Sequence, residues 1–105
     1  MARSAIHPGE HLADAIAGLG ITAAQLARDI AVPPNRISGI LRGRRAITAD
    51  TALRLARYFG TSAEFWMNLQ QLYDLRRANQ LIGKVVKELP RAKPRREPGR
   101  GSAAA

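Results

Sequence analysis

Hydrophobic positions in this chain recur with the period of an α-helix in five successive segments. In the first segment, Leu12, Ile16 and Leu19 follow Pro8, which suits the first turn of a helix because that turn needs no N–H from it. The other four apolar faces are Leu26, Ala27 and Ile30; Ile37, Ile40 and Leu41; Ala52, Leu55, Ala56 and Phe59; and Phe65, Leu69, Leu72 and Tyr73. The pattern predicts an all-α protein with five helices.

Local signals set the predicted ends of these helices. Thr22 with Gln25 forms a capping-box pattern, in which a side-chain oxygen accepts the unpaired N–H three residues later. Thr61 with Glu64 forms a second such pattern, although Ser62 could cap that helix instead. Glycine readily takes the left-handed conformation of a helix end, so three glycines are expected to end helices: Gly20, Gly43 and Gly60.

Composition excludes several classes of site. The 105 residues include no cysteine, which excludes disulfides and thiolate metal sites, and no apolar run approaches the roughly 20 residues that span a bilayer. His7 and His11, with Glu10, could suggest a metal site. Two histidines near a helix start, however, lack the third ligand that such a site needs. No serine has the histidine and carboxylate neighbours that nucleophilic catalysis needs. We expect a soluble cytoplasmic protein that is not an enzyme and holds no metal or cofactor.

The charge distribution indicates phosphate partners and a separate tail. The net charge is +9, with 14 arginines against 3 lysines, and the guanidinium fork matches phosphate oxygens. Residues 81–105 hold +5 of this excess, from seven basic and two acidic residues. Proline, glycine and charge without periodicity predict that residues 90–105 form a disordered basic tail. This tail is expected to bind nucleic acid unspecifically or, alternatively, to fold on a protein partner.

The segment VPPNRISGILRGRRAIT, residues 32–48, gives the strongest functional signal. It contains the second of two short helices, at 22–30 and 34–42, which a turn of three to four residues separates. This is the spacing of a helix-turn-helix, whose second helix enters the major groove of DNA. Ala27 must be small where the helices cross, and Ile37 anchors the second helix in the core. The pair predicts a DNA-binding unit at about residues 23–42.

Polar side chains of this unit fall into two predicted groups. Asn35 and Arg36 project from the first turn of the second helix, and their chemistry suits adenine and guanine respectively. Ser38 and Gly39 are small enough to let that helix approach the groove closely. The arginines beyond the helix are expected to bind phosphates without reading sequence: Arg42, Arg44 and Arg45. The alternative is that Asn35 caps the helix locally and the arginines form a solvated face.

The stretch LARDIAVPPNRISGILRGRRAITADTALRLARYFGTSAEFWMNLQQLYDL, with HPGEHL upstream, resembles the HigA family of addiction-module antitoxins. These are a branch of the lambda-repressor-like, or XRE, helix-turn-helix proteins. The resemblance covers about residues 6–80 and includes the distinctive segments HPGE, PPNRIS and ITADTALRLA. It implies a five-helix antitoxin that dimerises, represses its own operon on double-stranded operator DNA and neutralises a HigB toxin similar to RelE-type mRNA endonucleases.

The resemblance also assigns roles to particular residues. It implies base readout by Pro34, Asn35, Arg36, Ser38 and Gly39, and phosphate contacts by Arg42, Arg44 and Arg45. One position differs from the family pattern, because Ala31 stands where such turns usually carry glycine. A left-handed backbone at this alanine would be strained.

The fifth helix, at about residues 62–80 and extending toward 89, is more apolar than packing on a four-helix core requires. It is therefore expected to form a dimer interface, and the alternative is a fifth core helix of a monomer. Two other functions fit the same sequence: a stand-alone repressor without a toxin partner, and a toxin-inhibiting module whose DNA binding is vestigial. The predicted dimer residues are Phe65, Trp66, Leu69, Leu72 and Tyr73.

Overall fold

The computed structural model describes residues 5–93, which form five α-helices and no strand. The helices are α1 (Pro8–Leu19), α2 (Ala23–Asp29), α3 (Pro34–Leu41), α4 (Ala49–Phe59) and α5 (Ala63–Lys87). The predicted all-α, five-helix fold is confirmed. Of the predicted disordered tail, residues 90–93 follow α5 as exposed chain, and residues 94–105 lie outside the described range. Within that range, no helix is both long and apolar enough to cross a membrane.

The helices end largely where the sequence signals placed their ends. Oγ1 of Thr22 accepts the backbone N–H of Gln25 at 3.1 Å, as the capping box predicts. Ser62, rather than Thr61, caps α5 by accepting the backbone N–H of Phe65 at 3.0 Å. The glycines expected to end helices all have a left-handed backbone, with φ of 69°, 76° and 75° at Gly20, Gly43 and Gly60.

The core lies between α1, α2, α3 and α4 and the first half of α5. Ala27 and Ile37 are both buried, at 1% and 0% exposure, as the helix-turn-helix spacing predicts. Each large apolar side chain removed from water stabilises the fold by roughly 1.5–3 kcal/mol, so α3 is firmly held against its neighbours. The most deeply buried apolar side chains are Leu12, Leu26, Ile37, Ile40, Ile47, Leu55 and Trp66.

Trp66 belongs to the core of its own chain. Its side chain is only 2% exposed, and its indole Nε1–H donates to the hydroxyl of Thr61 at 2.8 Å. Almost none of its surface remains exposed, so Trp66 can contribute little direct contact to the predicted dimer interface. The sequence pattern could not separate the two faces of α5, because apolar residues occur on both.

The turn between α2 and α3 contains a left-handed alanine. Ala31 has φ = 59°, so the strain expected from alanine at this position is present. In this conformation a Cβ crowds the following carbonyl oxygen, which costs roughly 1–2 kcal/mol. The side chain of Ala31 is exposed, so packing does not compensate for this cost.

Ala31→Gly should therefore stabilise the protein by about 0.5–1 kcal/mol, since relief of strain exceeds the entropy that glycine adds to the unfolded chain. Ala13→Gly is the matched control, because Ala13 is exposed in the middle of α1 and the same replacement there should destabilise the helix. Urea unfolding of the three proteins measures both effects. A lower midpoint urea concentration for Ala31→Gly than for the parent protein would contradict the prediction that Ala31 is strained.

Candidate nucleic-acid interface

The exposed first turn of α3 presents the two predicted base-reading side chains. The helix begins at Pro34, with Pro33 as its N-cap, and no side chain caps its first turn. Asn35 therefore lies within the helix and is not its cap, which removes the alternative reading of this residue. Asn35 is exposed and the Arg36 side chain is 32% exposed. Both side chains are therefore accessible at the start of the helix.

A basic loop, residues 42–46, follows α3 and is attached to the core at both ends. The backbone N–H groups of Arg44 and Arg45 donate to the carbonyl oxygen of Gly39 at 2.8 and 3.1 Å. After the loop, the N–H of buried Ile47 donates to Oε1 of Gln70 on α5 at 2.8 Å. The predicted phosphate-binding side chains of this loop, Arg42, Arg44 and Arg45, are all exposed. The loop is therefore a fixed platform for three guanidinium groups.

Gly39 supports one of these arginines. A Cβ built on Gly39 would lie 2.7 Å from Cδ and 2.8 Å from Cγ of Arg45, so the aliphatic part of Arg45 crosses α3 at this glycine. The sequence suggested that Gly39 leaves space for DNA to approach. In the structure Arg45 fills that space, because the loop folds back over the end of α3. Ser38 is half-buried, and its hydroxyl donates to the carbonyl of Asn35 at 3.4 Å.

His7 lies beside the basic loop, near Gly43 and the backbone of Arg45. Its Nδ1 accepts the backbone N–H of Gly9 at 2.9 Å and so caps α1. Its ring packs edge-on against Tyr73 of α5, with the centroids 4.7 Å apart. Burial lowers the pKa of His7 below 6.5, against the opposing effects of the Arg45 backbone and of nearby acidic groups. The neutral imidazole therefore provides the acceptor that the cap requires.

Gly9 brings α1 and α3 into backbone contact. A Cβ at Gly9 would overlap the carbonyl oxygen of Ile40 and lie 3.0 Å from its carbonyl carbon. Gly9 is buried, so only a residue without a side chain fits between these helices. From the sequence, His7 was weighed as a metal ligand, and the segment HPGE carried only a family resemblance, so neither the cap nor the helix contact was predicted. Within residues 5–93, no three histidine, aspartate or glutamate side chains come together to hold a metal ion.

Asp50 and Arg54 form a charged network beside α3 that sequence analysis missed. Nε of Arg54 donates to Oδ1 of Asp50 at 2.6 Å, and its terminal nitrogen donates to the carbonyl of Ile30 at 2.9 Å and more weakly to that of Ala31 at 3.4 Å. A terminal nitrogen of Arg36 lies 3.6 Å from Oδ2 of Asp50. The hydrogen bond from Arg54 holds the pKa of Asp50 below its usual range. The i,i+4 spacing of Asp50 and Arg54 could have indicated their pairing, but not the link to Arg36.

This surface offers side chains for two kinds of contact with duplex DNA, namely contacts to base edges and contacts to phosphates. Asn35 and Arg36 can contact base edges from the start of α3, because Asn35 is exposed and Arg36 is partly exposed there. The three loop arginines follow the other end of α3 and can pair with phosphates. The arrangement is chemically suited to place a short helix in the major groove.

Comparisons with known proteins agree with this geometry. The family model described as helix-turn-helix matches residues 12–66. Antitoxin HigA-1 of Vibrio cholerae is 38% identical over 74 residues, which are 68% of this chain and 70% of that protein.

Two solved structures extend the similarity to the whole fold. A Coxiella burnetii addiction module antidote protein of the HigA family is 50% identical, with a TM-score of 0.82 over 86% of this chain and 100% of that one. Pseudomonas aeruginosa antitoxin HigA, solved with higBA promoter DNA, is 45% identical, with a TM-score of 0.79 over 82% and 96% of the two chains. This chain belongs to the HigA family of helix-turn-helix proteins.

Proposed function

We propose that this protein is an antitoxin that binds operator DNA as a dimer, represses its own operon and neutralises a HigB-like mRNA endonuclease. The observation that carries the proposal is the exposed start of α3, with Asn35 and Arg36, together with the three exposed arginines of the fixed loop that follows this helix. The related HigA antitoxin, solved with promoter DNA, supports operator binding. Such a protein would act in the cytoplasm, at the nucleoid.

The proposed roles differ among the five predicted base-reading residues. Asn35 and Arg36 read bases directly, since their side chains are polar and accessible. Pro34 fixes the start of the helix, and Ser38 and Gly39 shape its face. The loop arginines bind phosphates: Arg42, Arg44 and Arg45. Phosphate contacts of this kind set the register of the helix on DNA, and base contacts set the sequence.

Footprinting on the DNA upstream of the protein's own operon tests the operator proposal. A symmetric dimer with one α3 per half-site should protect an inverted repeat, with half-site centres about 10 base pairs apart or a multiple of that distance. Protection of a single half-site would contradict binding as a dimer. No protection at any site would contradict the operator function.

Co-purification from the native cell tests the toxin proposal. An antitoxin should bring down a small basic nuclease encoded beside its own gene. If the protein instead protects its operator but brings down no such nuclease, the stand-alone repressor is the correct function. If it binds the nuclease but Asn35 and Arg36 can be replaced without loss of operator binding, its DNA-binding role is vestigial.

The second half of α5 provides the proposed dimer surface. The buried side chains of α5 are Trp66 and Gln70, both in its first half. Farther along, large apolar side chains are 48–71% exposed, and a helix that leaves the core in this way is marginally stable in water unless it packs on a partner. These side chains are Leu75, Leu81, Ile82, Val85, Val86 and, just past the helix, Leu89. With Phe65 and Leu72, they favour a second copy of the chain as that partner.

Ile82→Glu should convert the proposed dimer to a monomer, because a charge would replace an apolar side chain in the middle of this surface. Gln80→Glu introduces the same charge about 200° away around the helix, and the dimer should tolerate it. Sedimentation equilibrium at micromolar concentrations measures both. A parent protein that is already monomeric, or a Gln80→Glu variant that dissociates equally, would contradict this surface.

A further inference from the structure

We infer that Asp50 is a positioning residue that holds Arg36 ready for base readout, an inference that rests on the proposed DNA-binding function. Asp50 lies in the first turn of α4, and its side chain is 54% exposed beside α3. An acidic group on a surface that binds DNA repels phosphates and lowers general affinity. Asp50 therefore weakens general affinity for DNA, and its presence is favourable only if it improves discrimination between DNA sequences.

The contact between Asp50 and Arg36 leaves most of the guanidinium available. Only one terminal nitrogen of Arg36 lies near the carboxylate, at 3.6 Å. An arginine has five N–H donors, and a guanine takes only two of them. Asp50 can thus restrain the side chain of Arg36 without occupying the donors needed for a base. An arginine restrained in this way loses less rotamer freedom when it binds.

Arg54 holds the carboxylate of Asp50 in place relative to α2 and α3. It donates to Oδ1 of Asp50 at 2.6 Å, while Oδ2 faces Arg36. The same guanidinium donates to the carbonyl of Ile30, at the end of α2. The carboxylate is thereby attached to the unit that carries α3. The orientation of Arg36 is consequently set with respect to the helix that enters the groove.

A simpler role for Asp50 would be local. An acidic residue in the first turn of a helix interacts favourably with the helix dipole, and Asp50 could stabilise α4 without affecting DNA recognition. The two roles differ in what they change. A local role alters the stability of the protein, whereas a positioning role alters discrimination between DNA sequences, and only when Arg36 is present.

The experiment measures dissociation constants for a fluorescent duplex of the footprinted operator and for a scrambled duplex of equal length and composition. Asp50→Asn should lower the ratio of the two constants about tenfold, which is within the range of one base contact. In an Arg36→Met background, the same replacement should leave the ratio unchanged. Asp50→Ser also removes the carboxylate and should lose discrimination as Asp50→Asn does.

Asp14→Asn is the matched control for the change in charge. Asp14 is exposed on α1, outside the network, and its replacement should leave the ratio as in the parent protein. An unchanged ratio in Asp50→Asn, or an equal fall in the Arg36→Met background, would overturn the positioning role. A parent protein that binds both duplexes equally would instead overturn the proposed operator function, so the two failures are distinguishable.

Discussion

Gly9→Ala is expected to destabilise the protein by about 3 kcal/mol, at the upper end of the usual cost of overpacking. The new methyl group would overlap the carbonyl oxygen of Ile40, and both residues are buried where α1 meets α3. Neither backbone can move freely, because α3 is fixed by Ile37 and Ile40, and α1 by Leu12. Guanidinium unfolding measures the loss, and thermal unfolding provides a second measure.

Gly18→Ala is the matched control in the same helix. A Cβ at Gly18 would meet no atom within 4 Å, so alanine should raise stability there by roughly 0.5–1 kcal/mol through its better helix propensity. If the change in stability has opposite signs for Gly9→Ala and Gly18→Ala, contact between helices, and not helix propensity, determines the effect at position 9. Equal stability of the Gly9→Ala variant and the parent would show that α1 can move away from α3.

Asn35→Ala and Arg36→Ala should each weaken operator binding by about 1–3 kcal/mol while leaving binding to scrambled DNA nearly unchanged, because each removes a contact to base edges. Arg44→Ala should weaken binding to both duplexes and reduce the salt dependence by about one unit of slope, as expected for one phosphate contact. Fluorescence anisotropy across a salt series separates these two classes of effect.

Arg77→Ala serves as a control for the loss of a positive charge. Arg77 is exposed on α5, far along the chain from the helix-turn-helix, and its loss should not change sequence discrimination. Uniform losses on operator and scrambled DNA for Asn35→Ala, Arg36→Ala and Arg44→Ala alike would mean that α3 does not read bases directly.

Local sequence was enough to determine the helices and the place of the helix-turn-helix. Their apolar faces repeat over several turns, and their ends carry residues whose effect acts within three or four positions, such as Thr22 and Gly20. The strained turn at Ala31 was also predicted, through the resemblance to a family whose turns usually carry glycine at this position. Short-range rules suffice for features of this kind, since the atoms involved belong to neighbouring residues.

Only the tertiary structure decided which residues support the interface. Gly9 and Ile40, His7 and Tyr73, and Ile47 and Gln70 are distant in sequence and meet only after the helices pack. The same holds for Trp66, which was named among the predicted dimer residues and which packs in the core of its own chain. A helical pattern gives the angular position of a side chain around the helix axis, but not which neighbouring helix packs against that position. The sequence thus determined which side chains are proposed to contact DNA, whereas packing between distant segments determined which residues hold those side chains in position.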